Sequence, residues 1–382
     1  MKDESPSKQS GTEDKTATAG GSPVLAHERL DELDHQLLAL LAERGNLVYA
    51  TAVESEHSSG SKLEPIKLLD KFAGLHQAWK AHGSSKFPEN ALDSVFREIL
   101  SACAAAVAPV RVAYLGPPGT FSHLAGLQSF GASSQLVECS TIANVFLAVE
   151  RGEAEYGVVP IENLIEGGVT PTHDCLLRTQ LMICSESILV VRLCLVAAHE
   201  AMSAIERVYS HPQPLAQSRI WLATHLPNAQ TVACTSTTAA AEEARKDPHS
   251  AAVTSILSAE LYGLNLLAEG IEDVPGNATR FVTIARQDAP PTGNDKTSVV
   301  FSTPDERGAL MRILSIFDSE GLNLSRIESR PDRTRRWEYV FFTDIEGHRS
   351  HPAMERALRR VQSQCQMVQI LGSYPQAKLS TV

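Results

Sequence analysis

A chain of 382 residues is long enough for two or three domains with cores of their own, and 43% hydrophobic residues fits a soluble globular class. A formal net charge of -11 argues against a nucleic-acid partner, which normally meets a basic face, but a small anionic substrate responds to local donors rather than to net charge. Seven scattered cysteines without a Cys-x-x-Cys pair argue against a disulfide framework or a metal site, and no apolar run reaches the roughly 18 residues of a membrane span.

Residues 1–22 are rich in Ser, Thr, Gly and Lys and lack an apolar core, so they read as a disordered tail and not a signal peptide; a cytoplasmic protein is expected. Residues 23–107 read as a helical domain. Leu30, Leu33, Leu37, Leu40 and Leu47 step along one face of a long helix, and the same stepping includes Arg44. After the interruption Ser58-Ser59-Gly60-Ser61, further helices are expected near 65–82 and 88–107, and Pro109 closes the segment.

Residues 110–287 change character. Short apolar strands (110–115, 156–161, 188–197, 208–209, 232–234, 251–253 and 280–285) alternate with helical stretches, which predicts an α/β sheet covered by helices. Several strands run into polar or glycine turns that start a helix: Gly116-Pro117-Pro118-Gly119-Thr120, Thr170-Pro171, Ser210-His211-Pro212 and Ser236-Thr237. Helix starts at the carboxyl ends of strands offer free N–H groups to carboxylates.

A linker over 288–296 follows. Beyond it, a strand at 298–302, a helix at 307–319 stopped by Gly321, strands near 322–329 and 337–345, a helix near 352–364 and a strand near 366–372 give a βαββαβ domain spanning 297–375. The Arg-rich run 330–336 reads as a solvated hairpin. The fold class is therefore multidomain, α followed by α/β.

Five motifs occur in order in the middle segment: YLGPPGTFSHLA (114–125), GVVPIENLIEGGV (157–169), YSHPQPLAQSRIWL (209–222), STTAAAEEA (236–244) and IEDVPGNATRF (271–281). Each alone is weak; GPPGT lacks the Lys of a phosphate-binding loop. Together they resemble the prephenate dehydratase family over nearly all of 110–287. That resemblance implies two α/β lobes of the periplasmic-binding kind with prephenate held between them. The reaction expels CO2 from the ring and the C4 hydroxyl, driven by aromatisation, and needs no metal or cofactor.

The same resemblance makes Thr279 the essential residue, with its hydroxyl bonded to the departing oxygen, since a threonine is a poor proton donor. Arg280 fits a substrate carboxylate as a bidentate fork, with Phe281 beside it. Asn163 is a candidate carboxylate or hydroxyl donor. Glu162 is acceptable beside a dianion only if protonated or occupied with a neighbour. Where the family places Ser or Thr after that pair, this chain has Leu164, one donor fewer. Ser122, His123, Ser210, His211, Gln217 and Thr237 complete the expected cleft, each with an ordinary helix-cap or core role as the competing reading.

The last domain resembles an ACT domain of the phenylalanine-binding kind, on Gly308-Ala309-Leu310 and on Asn323-Leu324 through Glu328-Ser329-Arg330. Phenylalanine is then the expected effector. The first segment resembles the helical chorismate mutase that precedes the dehydratase in bifunctional proteins, on LLALLAER (37–44), with Arg44 matching one catalytic arginine. Other mutase positions carry His27, Ser55, Lys67, Leu68 and the tract Ala104-Ala105-Ala106-Val107, so mutase activity is expected to be absent or vestigial, the helices serving a dimer or tetramer.

The readings in competition are a fully bifunctional enzyme, an arogenate dehydratase, a non-catalytic two-lobed receptor and a dehydrogenase. The last needs a GxGxxG after a strand, which the chain lacks. His199-Glu200 is not a zinc-protease motif because position 203 is Ser.

Overall fold

The computed structural model describes residues 23–58, 86–331 and 339–377, with four further positions between 75 and 81. The expected tail at 1–22, most of the helix expected near 65–82, and the Arg-rich run beyond Pro331 lie outside the described residues. Before the lobes the described residues include two long helices, α1 (Pro23–Ser58) and α2 (Glu89–Ala105), with helical positions also at 75, 78, 79 and 81. The leucine stripe of α1 is exposed: Leu30, Leu37, Leu40 and Leu47 all face solvent, while Ala52, Leu92 and Leu100 are buried.

Two α/β lobes follow. The first has β1 (Arg111–Leu115), α3 (Phe121–Phe130), β2 (Gln135–Cys139), α4 (Ile142–Glu150), β3 (Tyr156–Asn163), β4 (Gly167–Gly168), α5 (Thr170–Leu176) and β5 (Met182–Val190). The second has β6 (Cys194–Ala197), β7 (Arg207–Ser210), α6 (Pro212–Gln217), α7 (Arg219–His225), β8 (Gln230–Ala233), α8 (Thr237–Lys246), β9 (Ser250–Thr254), α9 (Ile256–Tyr262) and β10 (Asn265–Glu269). The chain then returns to the first lobe as β11 (Ala278–Ala285), giving strand orders β2-β1-β3-β11-β5 and β10-β6-β9-β7-β8.

The sequence reading differs at 188–197, expected as one strand. Residues 191–193 instead leave the first sheet and enter the second, so they form one of two crossings between lobes, the other being 270–277. Apolar content runs straight through this crossing because Val191 and Leu193 stay buried while the sheet changes.

The C-terminal domain comprises β12 (Asp295–Ser302), α10 (Ala309–Ser319), β13 (Leu324–Pro331), β14 (Tyr339–Glu346), α11 (Pro352–Gln364) and β15 (Met367–Pro375), with strand order β13-β14-β12-β15. Every residue of β12 is buried, since both of its faces are covered. Val299 and Phe301 pack under α10 and α11, whereas Val300, with Phe342, Leu371 and Tyr374, joins the core of the first lobe. Gly372 makes this docking possible: at φ +149° it lies against Ile183 of β5, where a Cβ would overlap the Ile183 carbonyl. β12 begins at Asp295, inside the expected linker, and Asp288 accepts from the Ser373 N–H at 3.0 Å, so the connection is held to the sheet.

Candidate active site

Strand direction fixes where the site lies. In the first lobe β1, β2 and β3 are parallel, and β11 runs antiparallel to β3, so the end of β3 and the start of β11 share one edge. In the second lobe β7, β8 and β9 end together at Ser210, Ala233 and Thr254, the edge where β6 begins. Both crossings between lobes join these two edges, so the edges face one another. Direct bonds span the gap. Ser255 and Ser258 hydroxyls donate to the Gly119 carbonyl at 2.7 and 2.9 Å, and the Thr238 hydroxyl donates to the Pro118 carbonyl at 3.0 Å. The sequence reading singles out none of these three residues. The turn after β9 repeats the strand-polar-helix pattern of the other four, and that signal could have found it.

At the first edge, register pairs Thr279 with Asn163. The Asn163 amide donates to the Thr279 hydroxyl oxygen at 2.9 Å, and its carbonyl accepts from the Ile165 and Glu166 N–H groups at 3.0 and 3.2 Å. Asn163 is thereby locked by its own turn. Thr279 accepts that bond, and among the described residues nothing accepts its hydrogen in return.

Side chains alternate across a strand. The neighbours Glu162 and Arg280, which also pair in register, face the opposite side of the sheet. Arg280 donates to Glu186 at 2.7 Å, to Asp344 at 2.5 Å and to the Tyr374 hydroxyl at 3.0 Å, the last two belonging to the C-terminal domain. Burial works against its charge, yet Tyr374, Asp344 and Glu186 together raise its pKa above the ordinary arginine value. Burial alone would raise Asp344, but Arg280 and the Ser298 hydroxyl hold it below the usual carboxylate range. Glu162 lies 3.0 Å from Arg326 of β13. Arg280 and Glu162 are thus committed to ion pairs within this chain rather than turned to the cleft. Phe281 also leaves the expected cleft, at 2% exposure within the core of the first lobe.

The remaining expected residues divide. Ser210 is fully buried and donates to the Val253 carbonyl at 2.6 Å, a structural bond. His211 caps α6 by accepting from the Gln213 N–H. His123 accepts from the Gly119 N–H at 3.0 Å and stacks on Tyr114, and burial depresses its pKa. Ser122 is buried in the first turn of α3. Thr237 starts α8, with Ser236 as the cap. Gln217 is half-buried, and its backbone carbonyl accepts from the Asp273 N–H at 2.6 Å. No hydrogen bond among the described residues joins Gln217, His211 or Thr237 to the Asn163–Thr279 pair; topology alone sets them on facing edges. Two buried polar atoms there lack partners, the Asn277 carbonyl oxygen and the Thr254 hydroxyl. A groove of about 240 Å³ between Phe121, Leu124, Leu189 and Ile256 lies beside the first crossing and is lined mainly by apolar groups.

In the C-terminal domain, Gly308 caps α10 at φ +77°, with Ala309 buried and Leu310 against the domain core. Asn323 and Leu324 lie beyond the other end of that helix, about 16 Å away at 1.5 Å per residue. Glu328 and Arg330 turn toward α5, where Arg330 approaches Asp174 at 3.8 Å and Glu328 pairs with Arg326, while Ser329 points outward. Within one chain Gly308–Leu310 and Asn323–Leu324 therefore sit at opposite ends of α10. In the helical segment, Arg44 is half-buried, with one guanidinium nitrogen lacking a partner.

Comparison with known proteins adds to this geometry. The prephenate dehydratase family pattern matches residues 112–289, and the ACT domain pattern matches 297–362. A bifunctional chorismate mutase/prephenate dehydratase of Aquifex aeolicus (strain VF5) is 41% identical over 352 residues, covering 92% of this chain and 97% of that protein. The solved structure of prephenate dehydratase in complex with L-Phe from Arthrobacter aurescens is 40% identical with a TM-score of 0.65, covering 70% of this chain and 90% of that one. A structure described as a novel type of quorum quenching acylase is 31% identical, also with a TM-score of 0.65, over 70% of this chain and 98% of that one.

Proposed function

The chain belongs to the prephenate dehydratase family, with an ACT domain after the catalytic lobes, and from that premise we propose how its site works. Prephenate enters between the facing edges of the two lobes. The bond from ring to carboxylate breaks and releases CO2, its electron pair forms the new ring double bond, and the C4–oxygen bond breaks. The departing oxygen takes a proton and leaves as water, so phenylpyruvate, CO2 and water balance prephenate plus one proton.

The observation that carries this reading is the Asn163–Thr279 bond. With its oxygen already accepting from Asn163, the Thr279 hydroxyl has its hydrogen to offer, and charge develops on the C4 oxygen as it leaves. A donor fixed before reaction and aimed at developing charge costs no reorganisation. Helix starts at Ser122 and Thr237 offer N–H groups to the two carboxylates. Gln217 is assigned to the same face of the cleft as Thr237. Glu162 and Arg280 are removed from direct substrate roles.

The acylase reading suggested by one structural neighbour asks for a nucleophile beside a general base. Thr279 has an amide beside it, and an amide cannot take its proton. Arogenate, with an amine where prephenate has a ketone, would meet the same groups, so the two substrates are to be compared directly. We further propose that phenylalanine regulates through the ACT domain, since the Arthrobacter relative was solved with L-Phe bound. Asn323 and Leu324 lie at the far end of α10 from Gly308–Leu310, which supports an effector site built from Gly308–Leu310 of one chain and Asn323–Arg330 of another in a homodimer or tetramer. No described helix is long and apolar enough to cross a membrane, and a cytoplasmic enzyme without a cofactor fits the chemistry. Phenylpyruvate formation from prephenate by the purified full-length chain tests the reading, and absence of product from folded protein sinks it.

A further inference from the structure

The regulatory domain grips the reverse side of the two residues proposed for the chemistry. Asn163 and Thr279 sit opposite one another on the cleft face of β3 and β11. Their immediate neighbours Glu162 and Arg280 sit opposite one another on the back face, and both are held by the C-terminal domain: Arg280 by Asp344 at 2.5 Å and Tyr374 at 3.0 Å, Glu162 by Arg326 at 3.0 Å. One peptide unit separates each gripped residue from its cleft partner, so a shift of the back-face side chain moves the front-face one.

The grip is closed on every side. Glu186 accepts from Arg280 at 2.7 Å and from Lys296 of β12 at 2.8 Å, and the Ser298 hydroxyl donates to Asp344 at 2.5 Å. Two cations, Arg280 and Lys296, meet two anions, Glu186 and Asp344, at nearly complete burial. Such a cluster tolerates no slack, because displacing one member leaves another charged and unpaired. All four strands of the C-terminal sheet contribute: Lys296 and Ser298 from β12, Arg326 from β13, Asp344 from β14 and Tyr374 from β15.

We propose that Asp344 and Arg326 are positioning residues for the dehydration: from the regulatory domain they set, through Arg280 and Glu162, the strand pair that carries Thr279 and Asn163. The proposal rests on the dehydratase reading above and assigns the route by which the C-terminal domain reaches that site. A displacement of β13 or β14 upon effector binding is delivered to the hydroxyl donor without any change in the second lobe.

The experiment uses the full-length chain and prephenate, with phenylalanine as the effector probe. Asp344→Asn and Arg326→Gln remove the charges, Tyr374→Phe removes only a hydroxyl and guards against failure to fold, and Arg359→Ala on the exposed face of α11 serves as control. Expected are kcat losses on the order of ten- to a hundred-fold for the two charge variants, a smaller loss for Tyr374→Phe, and KM within about two-fold, since misplacing a reacting group by an ångström costs up to about a hundred-fold. The phenylalanine effect on kcat falls in parallel, and Asp344→Glu restores part of both. In a Thr279→Ala background, where the donor is already gone, Asp344→Asn costs much less than in wild type, because Asp344 acts through Thr279. Lowered thermal stability with kcat and the phenylalanine response unchanged in all three variants overturns the proposal while leaving the dehydratase reading standing. A wild-type chain that makes no phenylpyruvate removes the reading and the proposal together.

Discussion

Asn163 and Thr279 share a hydrogen bond of 2.9 Å across the junction of β3 and β11, and 116 positions of sequence separate its two ends. The second lobe is inserted within that separation. The chain leaves the first sheet, builds a complete α/β unit, and returns to place Thr279 against a residue laid down before the excursion. The site faces both lobes, yet its donor pair lies within one sheet, that of the first lobe.

The first prediction follows from that pair. Thr279→Ala removes the donor, and kcat should fall by about 10²–10³, the loss typical of one group aimed at developing charge. Thr279→Ser keeps the hydroxyl and should retain most of the turnover. Asn163→Ala frees the Thr279 oxygen and should lower kcat more than it raises KM. Unfolding midpoints close to wild type would exclude collapse of β11, and near-normal turnover of the alanine variant removes the role given to Thr279.

How far the sequence leads can be judged from Arg280. Thr279 and Arg280 adjoin in one motif, and the motif points both at substrate. Alternation in a strand sends them to opposite faces, but which face meets water depends on what covers the other. The cover is Asp344 and Tyr374, 64 and 94 positions away, in a different domain. No local pattern announces such a partner. The ion pair of Glu162 with Arg326 is hidden for the same reason. Motif order and strand-helix alternation reveal the lobes and the βαββαβ domain because those signals are local. Strands β2 and β10 escape a reading by pattern because QLVEC and NLLAE are short and mixed in polarity, with half-exposed positions.

A second prediction concerns pH. His173 is fully buried: its Nδ1 hydrogen goes to the Val169 carbonyl at 2.9 Å, so Nε2 accepts from Arg326. Burial, reinforced by Arg326, pushes its pKa from 6.5 down to about 4. The folded protein thus keeps this ring neutral where the unfolded chain protonates it. Stability should be fully present above about pH 6.5 and fall as pH drops toward 4, by up to about 3 kcal/mol from this residue. His173→Asn keeps the donor to Val169 and should flatten the fall in unfolding midpoint over that window. An equally steep fall in the variant would place the acid sensitivity elsewhere.

Gly372 supports a third. At φ +149° with the Ile183 backbone against it, an added methyl has no room. Gly372→Ala should lower the unfolding midpoint by several degrees or more and should loosen the regulatory domain from the first lobe, read as faster proteolysis between Asp288 and Asp295. Gly293→Ala, where space is open though φ is +92°, should cost less. Equal midpoints for the two variants would show that backbone strain, and not the contact with β5, sets the loss.

The last prediction concerns the helical segment, since the Aquifex relative named above is described as a bifunctional chorismate mutase/prephenate dehydratase, whereas the sequence leads to the expectation of an absent or vestigial mutase here. A pericyclic rearrangement of a dianion is accelerated by cations and donors around it, and loss of one such contact costs roughly 3–4 kcal/mol. Arg44 is present, but His27, Ser55 and the alanine tract at 104–106 supply neither the second guanidinium, the amine nor the amide. We predict that the full-length chain consumes chorismate at no more than a trace of its rate on prephenate, and that Arg44→Ala leaves dehydration unchanged. We predict in addition that the exposed Leu30, Leu37, Leu40 and Leu47 of the 36-residue α1 pack against a second copy of the chain. Leu37→Asp with Leu40→Asp should reduce the mass measured by light scattering toward one chain. Rapid chorismate consumption that Arg44→Ala abolishes would restore the mutase and overturn this reading.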